Sequence, residues 1–445
     1  MVRQDTIFAP ATALGRSALS IIRISGPRSM DALIALTGDV PPPRQLSLRL
    51  LHDSQNGEVL DKAMVVAFPK PISSTGEDLV ELHLHGGVAV LNAVCNCLSS
   101  MPELRIAHPG EFTRRAFLND RIDLTSAEGI FDLIDAETNG QRRQAIAQAT
   151  GNLELALKNW LDKLVSVTAK LEAFIDFPDE GLPKTIQRDI KNNLSSLIAE
   201  MKLALEDASR AERVRDGLQI AIVGLPNAGK SSLLNWLAKR DVAIVSSIPG
   251  TTRDILEVYL EIDGYAVTVA DTAGLREAVD AIEAEGVRRT LARVKNADIT
   301  LVLSDASEGD MGRAAVNHYL SQEATLALAT KIDLVDAVSP PTPWIGLSTK
   351  TGFGTEVFIQ ILSSIIADCM ERTGSITLTR ARHVNGVRAA YDGLQRVLEA
   401  FDSSEPLEIV AEDLRLSTYA LERILGVVDV ENILDQIFAE FCIGK

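Results

Sequence analysis

At 445 residues the chain exceeds the roughly 250–300 residues at which one hydrophobic core stops growing, so several domains are expected. A hydrophobic fraction of 46% with 24% charged residues excludes a disordered chain, and the absence of ~18 uninterrupted apolar residues or of a basic-then-apolar leader excludes a spanning helix and points to a cytoplasmic protein without membrane partners. A net charge of −17 excludes a general polyanion binder, since counterion release needs clustered Lys and Arg. Any nucleic-acid contact would use a local patch; Arg114, Arg115, Arg142 and Arg143 are candidates, although solvated surface charge is the simpler reading of them.

Residues 1 to about 118 mix short β-rich runs with turn signals. Ala18 to Ile24, Ala63 to Phe68 and Leu79 to Leu84 are the runs, punctuated by Pro41-Pro42-Pro43 and by Pro69 to Gly76. They read as a compact α+β domain. His83 and His85 alternate on a strand and share a face, with no third ligand nearby, which favours a structural role over a metal pair. The four cysteines, Cys95, Cys97, Cys369 and Cys442, are too scattered for a disulfide framework and fit a reducing compartment. From about Thr125 the pattern turns helical, with Leu157, Trp160, Leu161, Leu164, Val165 and Leu171 near a period of 3.6.

Between about Leu218 and Ile366 apolar strands alternate with helices, the pattern of a parallel sheet with crossover helices. After Gly374 the helical pattern returns. The expected architecture is therefore an N-terminal α+β domain (1–118) and an all-α helical domain (119–215 and 373–445) interrupted by an inserted α/β domain (216–372), which the motifs that follow mark as a Ras-like P-loop domain.

The inserted segment carries the chemistry. Leu218 to Val223 runs into Gly224-Leu225-Pro226-Asn227-Ala228-Gly229-Lys230-Ser231, followed by the helical Ser232 to Leu237. In a strand, glycine-rich turn and helix of this order, backbone N–H groups and a helix N-terminus face phosphates, Lys230 reaches the β- and γ-phosphates, and Ser231 offers a hydroxyl to Mg²⁺. Thr251-Thr252 supplies a hydroxyl to complete the Mg²⁺ shell, and Asp271-Thr272-Ala273-Gly274 closes a strand with an acid for metal-bound water and an amide for the γ-phosphate. Thr330-Lys331-Ile332-Asp333 matches a guanine reader whose Asp accepts from N1–H and the exocyclic amine, so Asp333 selects GTP over ATP. Thr330 stands where Asn is usual, and Ser348-Thr349-Lys350 supplies the last guanine-facing loop. Leu275 takes the place of the Gln that orients water in Ras-like enzymes, so hydrolysis is organised otherwise.

With these elements the whole chain resembles the MnmE (TrmE) family of bacterial tRNA-modification GTPases. The resemblance rests on Asp5-Thr6-Ile7, Ile22 to Pro27, Thr75-Gly76-Glu77-Asp78, His85-Gly86-Gly87, Pro109 to Asn119, Gly250-Thr251-Thr252-Arg253-Asp254 and the terminal Phe441-Cys442-Ile443-Gly444-Lys445. It implies a homodimer through the N-terminal domains, and G domains that meet when GTP and K⁺ bind. It implies K⁺ ligation by Asn227, Ser246, the Ile248 carbonyl and Thr251 in the segment Ser246-Ser247-Ile248-Pro249-Gly250-Thr251-Thr252, K⁺ serving where an arginine finger acts elsewhere. Glu283 falls on the family's water-orienting acid.

The implied reaction, carried out in a heterotetramer with the FAD protein MnmG, adds an aminomethyl or carboxymethylaminomethyl group at C5 of the tRNA wobble uridine. FAD enters only through that partner. A 5-formyltetrahydrofolate-like cofactor maps to Arg23, Glu81, Arg121 (where the family usually has Lys) and Lys445, with Cys442 as a functional thiol nearby. Taken without the resemblance, Cys442 reads as a small core hydrophobe. The competing function is a regulatory or ribosome-assembly switch, in which nucleotide state controls binding and no covalent chemistry follows.

Overall fold

A computed structural model describes residues 5–176, 184–240, 257–271, 297–321, 324–335, 340–370, 376–403, 406–428, 431–439, 441–442 and 444. The chain forms two compact units, Met1–Phe131 with Ala149–Val165 and Arg415–Lys445, and Asp132–Gln148 with Ser166–Leu414.

The first unit is built on strands β1 (Thr6–Pro10), β2 (Leu19–Ser25), β3 (Ser47–His52), β4 (Val59–Phe68), β5 (Leu79–His85) and β6 (Leu104–Ile106), interspersed with helices α1 (Ser29–Thr37), α2 (Val88–Ser99) and α3 (Glu111–Leu118). They form one sheet in the order β3-β4-β5-β2-β1-β6, antiparallel except where β6 runs parallel to β1. Period-two alternation divides its faces. Phe8, Ile22, Ile24, Leu82 and Leu84 join Leu33 of α1 and Val94 of α2 in one core. On the other face Ile7 and Ala9 meet Ala107 and Phe112 of α3. Cys97 lies buried in the first core with Cys95 at its margin, so this spacing serves packing.

Helices α4 (Leu124–Asp135), α5 (Asn139–Ala149), α6 (Asn152–Asp176), α7 (Lys184–Glu206) and α8 (Ala208–Asp216) follow. In the second unit, α7 packs on the later helix Ala381–Ser403. Ile190, Leu194, Leu197 and Met201 on one, and Val387, Ala390, Leu394 and Val397 on the other, are buried at i, i+3/i+4, i+7 spacing, the stripe that helix packing demands.

Between these helices runs a second sheet of β7 (Leu218–Gly224), β8 (Glu257–Ile262), β9 (Tyr265–Asp271), β10 (Ile299–Asp305), β11 (Thr325–Thr330) and β12 (Ile345–Leu347). Its order is β12-β11-β10-β7-β9-β8, parallel but for β8. Every residue of β10 is buried, as a strand covered on both faces requires. One face carries α9 (Lys230–Arg240) and α11 (Thr355–Met370), through Leu233, Leu237, Phe358 and Leu362. The other carries α10 (Gly309–Val316), through Val316 against Val223, Val302 and Ala329. The chain then continues in α12 (Ala381–Ser403), α13 (Leu407–Leu425) and α14 (Glu431–Ala439). The fold is thus an N-terminal α+β portion and helices interrupted by a doubly wound α/β sheet. No helix among the described residues is long and apolar enough to cross a membrane.

Candidate functional site

Because β7, β9, β10, β11 and β12 are parallel, their carboxyl ends share one edge of the sheet, where open α/β folds bind ligands. β7 ends there at Gly224. A Cβ at that position would lie 2.5 Å from the Leu303 carbonyl oxygen of β10, so only glycine lets the loop leave beside its neighbour. Asn227 (φ 65°) and Gly229 (φ 89°) turn the chain through left-handed conformations into α9, whose first-turn N–H groups have no intrahelical acceptors. The Lys230 ammonium donates to the carbonyls of Gly224 at 2.9 Å and Leu225 at 2.8 Å, which holds its charge within the loop. Asn227, Ser231 and Ser232 are exposed; Ala228 is buried. The result is a cationic, amide-lined cradle for phosphate.

The predicted guanine-reading turn, Thr330 to Asp333, begins where β11 ends. Thr330 is buried, and its hydroxyl donates to the Ala228 carbonyl at 2.7 Å and lies 3.2 Å from the Ser304 carbonyl oxygen, tying this turn to the phosphate loop. Sequence reading noted Thr330 only as a departure from Asn and missed this bond. Lys331 adopts φ 53° and pairs with Asp305 at 2.7 Å. Burial works to raise the Asp305 pKa, but the bonds from Lys331 and Ser307 prevail and hold it below its ordinary value. Asp333 is exposed on the single turn Ile332–Leu334. β12 pairs Leu347 with Thr330, placing Ser348 alongside. The buried Ser348 anchors the Thr349-Lys350 turn, its N–H donating to the Phe353 carbonyl (3.0 Å) and its carbonyl accepting from Gly352 N–H (2.9 Å). Asp271 ends β9 opposite Ile222 of β7. Ser246, Ser247, Ile248, Pro249, Gly250, Thr251, Thr252, Thr272, Ala273, Gly274, Glu283 and Lys445 lie outside the described residues.

The second predicted site falls in the first unit. Ala9, Arg23 and Glu81 are in register across β1, β2 and β5, so their side chains share a face. Arg23 Nε donates to Glu81 Oε1 at 2.9 Å, and Glu81 Oε2 lies 3.3 Å from His83 Nε2. His83 thereby joins the row, signalled in sequence only by its i+2 spacing from Glu81. His85 instead meets Asp61, Nδ1 to Oδ1 at 2.7 Å. Arg121 is exposed, its Cγ lying 3.3 Å from where a Gly76 Cβ would stand.

The C-terminal segment returns to this sheet. Phe441 is buried against Phe131 and Phe438, with ring centroids 5.0 and 5.4 Å away. The Cys442 carbonyl accepts from Gly110 N–H at 3.4 Å while the residue itself is exposed, and Gly444 lies against Pro10 and Ala11, one residue along from the Ala9–Arg23–Glu81 row.

The arginine candidates divide. Arg114 pairs with Asp435, and Arg142 and Arg143 are exposed. Arg115 is no surface charge: it is buried and bonded to Asp5, Glu77 and Glu111. Burial works to raise the Glu111 pKa, but the Arg105 guanidinium, the His108 N–H and Arg115 overcome it and hold the carboxyl at about 2. An i,i+4 pattern with Glu111 inside an eight-residue helix did not reveal that three carboxylates converge on one guanidinium.

Two family models match, described as the GTP-binding protein TrmE N-terminus over residues 6–121 and the MnmE helical domain over residues 124–442. A Rhodospirillum rubrum protein named tRNA modification GTPase MnmE is 48% identical, covering 99% of each chain. A Parvibaculum lavamentivorans protein of the same name is 46% identical over 99% of this chain and 100% of its own. Among solved structures, the G domain of the T. maritima FeoB iron transporter aligns with 35% of this chain and 99% of its own at 23% identity and a TM-score of 0.27, too loose to bear on the assignment. Both family models and relatives matched over nearly their whole length agree, and the chain belongs to the MnmE family of tRNA modification GTPases.

Proposed function

We propose that this GTPase gates modification of the tRNA wobble uridine, working with MnmG in a heterotetramer in the cytoplasm to place an aminomethyl or carboxymethylaminomethyl group at C5. The observation that carries its GTPase part is the meeting, at one sheet edge, of the Lys230 cradle, the Thr330 bond to Ala228 and the exposed Asp333, while its tRNA part is supported by the relatives named tRNA modification GTPase MnmE. In hydrolysis water attacks the γ-phosphorus, the bond to the β-bridging oxygen breaks, and GDP and inorganic phosphate leave. Lys230 offsets the charge developing on the phosphates, and Asp333 selects guanine. Ser231, a hard oxygen donor at the first turn of α9, suits Mg²⁺, with Thr252 as its second protein hydroxyl and Asp271 holding its water.

The exposed Asn227, in a left-handed turn of the phosphate loop, offers a carbonyl oxygen suited to K⁺, to be joined by Ser246, Ile248 and Thr251. When bound, K⁺ neutralises charge as an arginine finger would. Glu283 is assigned to orient the water that Leu275 does not. The G domain is assigned to 216–372 within a helical domain of 119–215 and 373–445, the N-terminal domain to 1–118 with the homodimer contact. The Arg23–Glu81–His83 row puts a guanidinium, a carboxylate and an imidazole side by side on one sheet face, polar groups suited to hydrogen-bonding a reduced folate. Arg121, Lys445 and Cys442 complete that assignment.

The test is GTP turnover in KCl against NaCl at equal ionic strength. Acceleration by K⁺ that Asn227→Ala abolishes is expected; equal rates in both salts would remove Asn227 as a cation ligand.

A further inference from the structure

Helix α5 opens with a feature that its own folding does not explain. Thr138 and Gln141 form a capping box: Gln141 N–H donates to the Thr138 hydroxyl at 3.3 Å, and the Gln141 side-chain oxygen accepts from Thr138 N–H at 3.0 Å. That arrangement leaves the N–H of Gly140, between them, as an unspent first-turn donor. It donates to the carbonyl of Gly264 at 2.8 Å. Gly140 is buried, and a Cβ on it would stand 2.9 Å from that carbonyl oxygen and 3.1 Å from the Tyr265 ring. Glycine is a poor helix former, so its use here is explained by the close approach of the Gly264–Tyr265 segment.

Gly264 is the tip of the β8–β9 hairpin. Ile262 pairs with Tyr265 across a two-residue turn whose central residues, Asp263 (φ 49°) and Gly264 (φ 83°), are both left-handed, which gives a tight and stiff reversal. From that tip β9 runs without a bulge to Asp271, about 20 Å at ~3.3 Å per residue, held on one side by β8 and on the other by β7. In sequence the hairpin follows Thr251-Thr252 and leads into Asp271-Thr272-Ala273-Gly274.

The other end of the connection is fixed as well. One face of α5 carries Gln141, Gln144 and Gln148, whose side chains bond the Arg215 carbonyl (2.8 Å), the Ala211 carbonyl (2.9 Å) and the Thr379 hydroxyl (2.9 Å). Arg215 and Ala211 belong to α8, which leads into β7, and Thr379 precedes α12, so α5 grips both flanks of the inserted sheet.

We propose that Gly140 is a positioning residue for GTP hydrolysis: its contact with Gly264 fixes the tip of the hairpin against α5 and so sets the place of Asp271 at the phosphate end. The proposal rests on the reading of Asp271 as part of the magnesium–phosphate site. The contact acts in both directions, so a nucleotide-dependent movement at Asp271 reaches the first turn of α5.

Two substitutions and one exchange experiment test it on the full chain. Gly140→Val, and more mildly Gly140→Ala, push on the Gly264 carbonyl without removing any group that touches nucleotide. Expected is a fall in kcat of about tenfold for Gly140→Val, because small misplacements at a phosphoryl-transfer site are costly, with KM for GTP within about twofold, as a loss outside ground-state binding requires. In the unsubstituted protein, amide exchange at residues 139–143 should change when GDP is replaced by a non-hydrolysable GTP analogue. Unchanged kcat in Gly140→Val, or exchange in that turn indifferent to nucleotide, overturns the proposal. Asp271→Asn separates the underlying reading: if it leaves kcat intact, Asp271 is misassigned whatever Gly140 does.

Discussion

Thr330 shows how a buried hydroxyl can tie two loops of a site together. The side chain that ties the guanine-reading turn to the phosphate loop needs one donor within reach of the Ala228 carbonyl, and a hydroxyl at 2.7 Å supplies it. Thr330→Val keeps shape and branching but strips that donor, and leaving a buried carbonyl unmet costs about 1–3 kcal/mol. Binding of both GDP and GTP should weaken about tenfold, the order of magnitude that such a loss produces, with Thr330→Ser near the parent and the preference for guanine unchanged, as the proposed role of Asp333 requires. Titration with a fluorescent GDP checks this; a Val variant that binds like the parent would show the bond to be incidental. The phosphate loop could be located, and a guanine reader predicted, because backbone phosphate binding and base recognition each demand fixed residue types at fixed spacing. The work of Thr330 was not legible, because its partner lies 102 positions away in the chain. Arg115 was hidden for the same reason, its carboxylates coming from β1's approach, a turn and its own helix.

At the scale of elements, strands read from apolar runs appeared close to where expected, since β2, β4, β5 and β7 are buried on at least one face. The short β6 and the edge strand β3 carried little signal, the latter showing Leu48 and Leu50 half exposed. The C-terminal segment was legible only as a motif; its seat on β1 and α3 depends on chain ends meeting in space. Gly444 (φ 95°) fits there because a Cβ would collide with the Pro10 carbonyl. Gly444→Ala therefore combines left-handed strain with a backbone clash and should release the tail from β1. If the folate reading holds, reduced-folate binding and tRNA modification fall by at least about tenfold, while GTP turnover, performed in the other unit, stays near the parent value. Equilibrium dialysis with 5-formyltetrahydrofolate beside a phosphate-release assay separates the two; joint loss would mean that the tail serves stability alone.

For the molecule as a whole, the acidic balance constrains how a tRNA can be held. With 61 acidic against 44 basic residues, long-range attraction to phosphate is unfavourable, and the arginines that resemble a patch in sequence are partly spent: Arg115 on three carboxylates and Arg114 on Asp435. Each phosphate neutralised by a protein cation contributes about 0.7–0.9 to the slope of log affinity against log salt. A chain with this acidic balance should therefore bind tRNA weakly by itself, with a slope no steeper than about −3. Adding MnmG should raise the affinity and steepen the slope together, because the additional phosphate contacts would come from the partner. Fluorescence anisotropy of labelled tRNA across a KCl series, with and without MnmG, measures both quantities. A steep slope for this chain alone would locate a basic surface on it, and the tRNA would then be held here and not chiefly by the partner.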